Sequence, residues 1–124
     1  MIKYIPFSGG ERPFSTAVRA GDTLYVSGQV GINRDSGQFP ATVAGQTEQA
    51  IANLKAILEQ EQFSLADIVK MTVIVTDKAN IQAFNDSYRQ HFPLNPPART
   101  LLVAGLAGEA LVELDAIAVK MGRK

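Results

Sequence analysis

The residues best equipped for chemistry lie in the last third of the chain. Glu113 and Asp115 sit two apart in the run Leu111–Met121. In a strand, where side chains alternate between faces, they share a face with Ile117, Val119 and Met121. Two carboxylates at the head of an apolar stripe admit two readings. The strand end reaches solvent and both acids are simply hydrated. Alternatively, a carboxylate stands at the rim of a pocket, where burial raises its pKa and suits it to proton transfer. Arg99 is the second candidate. It follows Pro96-Pro97-Ala98 and opens the short apolar run Leu101-Leu102-Val103. A guanidinium at the start of a buried strand calls for an anion. Glu113 or Asp115 would make this an ordinary structural salt bridge; a ligand carboxylate would be held by two parallel hydrogen bonds.

Ser27-Gly28-Gln29 is the third candidate. Ser27 has no histidine near it in sequence and no G-x-S-x-G elbow around it, so it is a poor nucleophile. Gly28, inside a strand-like run, marks either a β-bulge or a close approach by another group, and its bare backbone could contact a ligand. His91 falls near the end of a helical run, where capping or exposure suits it better than catalysis. Ser8-Gly9-Gly10 lacks the lysine and spacing of a phosphate loop and reads as a turn.

Positioning these residues requires the following elements. Asp22–Ile32 is a predicted strand, with Leu24, Val26 and Val30 on one face and Tyr25, Ser27 and Gln29 on the other. Asn33–Gly37 is a turn. Val43–Glu61 reads as an amphipathic helix capped by Thr42, its apolar face formed by Val43, Ala50, Ile51, Leu54, Ile57 and Leu58. Ile68–Thr76 is a strand in which Val69, Met71, Val73 and Val75 alternate with residues that are themselves partly apolar. Asp77–Phe92 is a second helix, capped by Asp77 or Asn80, burying Ile81, Phe84 and Tyr88, and stopped by Pro93, Pro96 and Pro97. Strands at Arg99–Ala104 and Leu111–Met121 flank a turn at Gly105–Gly108. The order implies an α+β fold with two helices on one face of a mainly antiparallel or mixed sheet. The other face then needs a partner, and the apolar alternation of Ile68–Thr76 points to another subunit.

The chain has 124 residues, 46% hydrophobic and 19% charged. This suits one folded domain spanning residues 1–124. Twelve basic and twelve acidic residues cancel, which argues against a general nucleic-acid binder. The absence of cysteine excludes disulfides, thiolate metal sites and cysteine nucleophiles, and a single histidine excludes a His-pair metal site within one chain. No apolar run approaches the roughly 18 residues of a membrane span, and the N-terminal residues lack a signal-peptide core. A soluble, cytoplasmic protein is expected.

Taken together, DTLYVSGQVG, FNDSYRQHFPLNPPART and VELDAIAVK resemble the reactive-intermediate deaminase family (RidA or YjgF-like, also labelled endoribonuclease L-PSP). The likeness runs from about Phe14 to Lys120. It implies a chorismate-mutase-like α+β fold and a homotrimer whose sheets form a central β-barrel, with ligand clefts between subunits. It also implies hydrolysis of 2-imino acids or their enamine tautomers to 2-keto acids and ammonia, without a metal or organic cofactor. By position, the family's carboxylate-binding arginine falls on Arg99 and its water-activating acid on Glu113. Its cleft-lining serine and glycine fall on Ser27 and Gly28, its helix-two asparagine on Asn85 and its proline on Pro97. Because the cleft is shared, Arg99 and Glu113 are expected to be joined by groups from a neighbouring chain. Two positions depart from the common pattern. Phe14 stands where many members have tyrosine, and Leu101 where many have cysteine; a phenolic hydroxyl and a thiol are thereby lost from the substrate-binding wall. The segment between the second helix and Arg99 is also shorter than in some relatives.

The leading expectation is therefore an imine/enamine deaminase acting on a small 2-imino acid such as 2-iminobutanoate or 2-iminopropanoate. A non-catalytic module that binds or senses a keto acid is the alternative, favoured by Phe14 and Leu101. A ribonuclease finds little support in a chain of zero net charge with one histidine.

Overall fold

The computed structural model describes residues 1–120. Met121, assigned above to the last strand, lies outside the described residues. Six strands form one mixed sheet in the order β1-β2-β3-β6-β4-β5. They are β1 (Ile2–Ile5), β2 (Ala17–Ala20), β3 (Thr23–Val30), β4 (Ile68–Val75), β5 (Ala98–Val103) and β6 (Val112–Val119). Only β4 and β5 pair in parallel; the other neighbours are antiparallel. Helix α1 (Val43–Gln60) connects β3 to β4, and α2 (Ile81–Tyr88) connects β4 to β5. Parallel strands need such crossovers. Strand β6 inserts between β3 and β4, so the last segment of the chain becomes the centre of the sheet.

Thr42 caps α1 as expected: its extended backbone lets the side chain accept from the Gly45 amide at 3.0 Å. Ala50, Ile51, Leu54 and Leu58 of α1 are fully buried, whereas Ile57 is only partly so. Each fully buried Leu or Ile contributes about 1.5–3 kcal/mol over leaving it in water. Three polar residues of α1 are buried with them. Gln46 donates to the carbonyls of Pro40 and Glu109 and accepts from the Leu111 amide at 2.8 Å. Asn53 donates to the carbonyls of Val30 and Ile32, and Thr47 donates to Val43. These bonds tie the loop ahead of the helix, the end of β3 and the start of β6 to one helix. They compensate buried backbone groups that would otherwise be unpaired. Gly31 is required here, because a Cβ would collide with the Gln46 backbone.

The second helix is shorter than the periodicity predicts. Single 3-10 turns at Lys78–Asn80 and Arg89–His91 flank α2. Asp77, not Asn80, provides the cap, accepting from the Ala79 amide at 2.9 Å. Phe84 and Tyr88 are buried, while Ile81 is half-buried. Strands β1 and β2, absent from the sequence reading, add an antiparallel pair at one edge.

Strand β6 alternates as predicted. Val112, Leu114, Ala116 and Ala118 face the helices; Glu113, Asp115, Ile117 and Val119 face away. Two strands do not alternate as predicted, and a register shift explains each. The β3–β6 pairing slips between Val26 and Gln29. Gln29, 4% exposed, turns into the core beside Leu24 and Val26, and Val30 moves to the outer face. The β4–β6 pairing slips between Ile68 and Lys70, so Ile68 is buried and Val69 is 49% exposed. An extra residue in a period-two element reverses every side chain beyond it.

Candidate functional site

Gly28 lies at the β3 bulge, and the carboxylate of Glu113 lies over it. A Cβ placed on Gly28 would stand 2.7 Å from Glu113 Cδ and 2.8 Å from Oε2. The bulge and the close approach weighed as alternatives for this glycine thus occur together. Both residues line a cleft of about 380 Å³ bounded by the Pro6–Thr16 connection, β3, β6 and α1. Phe14 and Ser27 line it too. The Phe14 ring meets Phe7 edge-on, with centroids 5.9 Å apart. Ser27 donates its hydroxyl proton to the Ser15 carbonyl at 2.6 Å, so that proton goes to the backbone rather than to a base. Burial raises the Glu113 pKa above the usual carboxylate value, and the negative charge of Asp115 adds to the shift. The carboxyl thereby becomes a stronger proton acceptor than a solvated glutamate.

Arg99 lies elsewhere. Its β-ladder partner is Met71, which is fully buried on the helix side, whereas Glu113 pairs with Ile74. Cross-strand partners share a face, and residues three apart on one strand do not. Arg99 and Glu113 therefore belong to opposite faces of the sheet. Neighbouring strands are about 4.8 Å apart, so β5 and β6, on either side of β4, are separated by a further ~10 Å. The intrachain salt bridge from Arg99 to Glu113 or Asp115, one of the two sequence expectations, is not formed. The ion pairs among the described residues are Lys3–Glu61, Arg89–Asp86 and His91–Glu48.

The Arg99 guanidinium instead stacks on Tyr88, 4.9 Å from the ring centroid, with Phe84 at 5.8 Å. It lines a second, more open cleft of about 640 Å³ with Asn85, Tyr88, Phe92, Pro93 and Pro96. Of the sequence candidates, Asn85 thus accompanies Arg99. Pro97 leads into β5 behind the lining prolines, and Leu101 packs against the core two residues on. The Tyr88 hydroxyl is buried without a hydrogen-bond partner among the described residues. Burial raises its pKa and the charge of Arg99 offsets part of that rise; the guanidinium approaches the hydroxyl without reaching hydrogen-bond geometry. His91 joins Glu48 of α1 at 2.9 Å, a structural contact.

The single chain thus presents two separate clefts. One holds Glu113, Gly28, Ser27 and Phe14; the other holds Arg99 and Asn85. Sequence reasoning missed Tyr88 as the platform under Arg99, although it identified the residue as buried. It also missed Phe7, Arg12 and Arg34 of the first cleft, which come from loops with no periodic signal. Among the described residues, no group of three or more His, Asp or Glu side chains could hold a metal ion. No helix among them is long and apolar enough to cross a membrane.

Residues 9–120 match the endoribonuclease L-PSP family. The chain belongs to that family. A RutC family protein of Pyrococcus horikoshii is 36% identical over 110 residues, covering 87% of each chain. A 2-iminobutanoate/2-iminopropanoate deaminase of Capra hircus is 39% identical, over 87% of this chain and 80% of its own. Among solved structures, Escherichia coli TdcF with bound serine superposes with a TM-score of 0.87 at 33% identity, over 95% of this chain and 98% of that one. The two helices on a mixed six-stranded sheet are therefore the fold of the L-PSP family, as the resemblance implied.

Proposed function

We propose that this L-PSP family chain hydrolyses reactive 2-imino acids, or their enamine tautomers, to 2-keto acids and ammonia, and that it does so as a homotrimer with clefts between subunits. The observation that carries this reading is the Glu113 carboxylate, raised in pKa and held over the bare backbone of Gly28 in a small-ligand cleft. The deaminase name borne by relatives such as the Capra hircus protein supports it.

Assembly supplies what one chain lacks. The outer sheet face exposes Tyr25 and Leu102, 48% and 49% accessible, beside the half-buried Ile74 and Ile117. Packing these faces together would form the central barrel, and Arg99, on the edge strand β5, would then border the seam between chains.

In the proposed reaction, Arg99 grips the substrate carboxylate with two N–H donors. Glu113 takes a proton from water as the water oxygen attacks the C=N carbon, and the π electrons move to nitrogen. Glu113 returns that proton to nitrogen to give the carbinolamine; the carbinolamine hydroxyl proton then passes through Glu113 to nitrogen as the C–N bond breaks, so ammonia leaves as the carbonyl forms. Such positioned proton transfer contributes about 10²–10⁴-fold. Asn85 beside Arg99 and the Phe14 ring in the Glu113 cleft would wall the substrate.

The test generates imines with an amino-acid oxidase or dehydratase and lets the protein compete with semicarbazide for them. Protein-dependent loss of semicarbazone, abolished in Arg99→Ala and Glu113→Ala, is expected. Arg99 makes no ion pair among the described residues, so Arg99→Ala should keep its fold and assembly; full activity in that variant would end the clamp assignment.

A non-catalytic amino-acid or keto-acid binding role is the second reading, and the serine-bound TdcF structure favours it. Saturable keto-acid binding without imine turnover would support it over the first.

A further inference from the structure

Two guanidinium groups line the Glu113 cleft, and neither has a carboxylate partner among the described residues. Arg34 donates from Nη2 to Gln29 Oε1 at 2.7 Å. Gln29 is buried by the β3 bulge, and its Nε2 donates to the Ser27 carbonyl at 3.2 Å. That second bond fixes the orientation of the amide, so its oxygen faces Arg34. Arg12 lies with its guanidinium 5.0 Å from the centroid of the Phe7 ring. Both arginines border the same cleft as Phe14, Gly28 and Glu113. Neutral groups, an amide oxygen and an aromatic face, hold two full positive charges at the wall of a ligand site. Glu113 lines the same cleft but forms an ion pair with neither of them among the described residues.

A guanidinium held by one bond keeps further N–H donors for another acceptor. Elsewhere among the described residues Lys3 pairs with Glu61 and Arg89 with Asp86, and Arg19 is held by the carbonyls of Gly21 and Glu61. The cleft, at about 380 Å³, lies at the lower end of the roughly 300–1,000 Å³ range of small-molecule sites.

We infer that this cleft selects ligands with a second anionic group remote from the reacting carbon, such as 2-imino and 2-keto diacids, with Arg34 and Arg12 receiving the distal carboxylate. The inference rests on the proposed 2-imino acid site and names the substrate class for it. Arg99 would hold the carboxylate common to all 2-imino acids; Arg34 and Arg12 would read the side chain.

The test is calorimetric binding of two five-carbon acids, 2-oxoglutarate and 2-oxopentanoate, to the full-length protein in low salt. The diacid is expected to bind about tenfold tighter, the scale of one charge-assisted bidentate contact. Arg34→Gln should bring the ratio below about threefold, with Arg34→Lys intermediate because a lysine keeps the charge without the fork. Arg99→Ala should weaken both acids while preserving their ratio. Equal affinities in the unaltered protein, a ratio unchanged in the Arg12→Gln/Arg34→Gln double variant, or no binding of either acid would overturn the inference. The imine assay is read separately. A protein that prefers the diacid through Arg34 but hydrolyses no imine retains this specificity and loses the deaminase assignment.

Discussion

Gly28→Ala separates the chemistry of the cleft from its stability. The backbone at Gly28 does not have positive φ, so alanine meets no conformational penalty there. The added methyl would stand 2.7 Å from Glu113 Cδ, 2.8 Å from Oε2 and 3.1 Å from Oε1. Carbon atoms in ordinary contact stand about 3.5–4.0 Å apart, so the carboxylate must retreat by about 1 Å. The neighbour that must move is the end of a flexible side chain. The cost is that of an off-rotamer torsion, about 0.5–1.5 kcal/mol, or a few degrees in Tm. For a general base the same displacement is severe, since a misplacement of about 1 Å costs on the order of 10²-fold in rate. The expected result is a fall of about 100-fold in kcat/KM for imine hydrolysis, with Tm lowered by less than roughly 6 °C. The semicarbazide competition assay and a thermal melt measure the two quantities. A variant with kcat/KM within about twofold of the parent would refute the placement of Glu113 as the base.

Glu113→Gln should abolish hydrolysis and alter the pH dependence of stability. The native pKa is raised, so the folded protein binds more protons than the unfolded chain between the ordinary glutamate value and the raised one. Stability contributed by the neutral carboxyl is full below that window and is lost as pH rises through it. The glutamine variant should melt higher than the parent above the window, and a melt series from pH 4 to 8 checks this. Gln46→Ala removes three hydrogen bonds to the backbones of Pro40, Glu109 and Leu111. It should cost about 2–4 kcal/mol in urea unfolding; a loss under about 1 kcal/mol would mean that water replaces them. Tyr88→Phe deletes a buried hydroxyl without a partner and should leave stability equal or up to about 1 kcal/mol higher. A clear destabilisation would show that the hydroxyl is satisfied in the assembled protein.

What could be read from the residues divides along physical lines. Strand β6 was legible because no bulge interrupts its alternation, and α1 because Thr42 and the apolar face agree with each other. Strand β3 was legible as a strand but not in its facing. Whether Gly28 adds a residue to the ladder depends on its pairing with β6, more than eighty positions away in sequence. The same holds for Ile68 and Val69. Strands β1 and β2 are only four residues each, β1 mostly exposed and β2 mostly half-buried, so they carry little periodic signal. Gln46 and Asn53 look like surface residues of a helix; they are buried because distant loops need hydrogen-bond partners. Arg99 and Glu113 stood out by residue type and through the family resemblance, but their facing followed only from the sheet register. Arg12 and Arg34 look like ordinary loop charges until the bulge places Gln29 against one and the Pro6–Thr16 connection brings in the other.

The opposite facing of Arg99 and Glu113 has a genetic counterpart. If each working site draws one of them from each of two chains, defects in the two residues lie in different half-sites of one protomer. Arg99→Ala and Glu113→Ala chains, each inactive alone, would then complement when unfolded and reassembled together. With random exchange in a cyclic trimer, about a quarter of the sites would receive an intact arginine from one parent and an intact glutamate from the other. Two loss-of-function alleles expressed in one cell could therefore restore part of the activity that neither encodes.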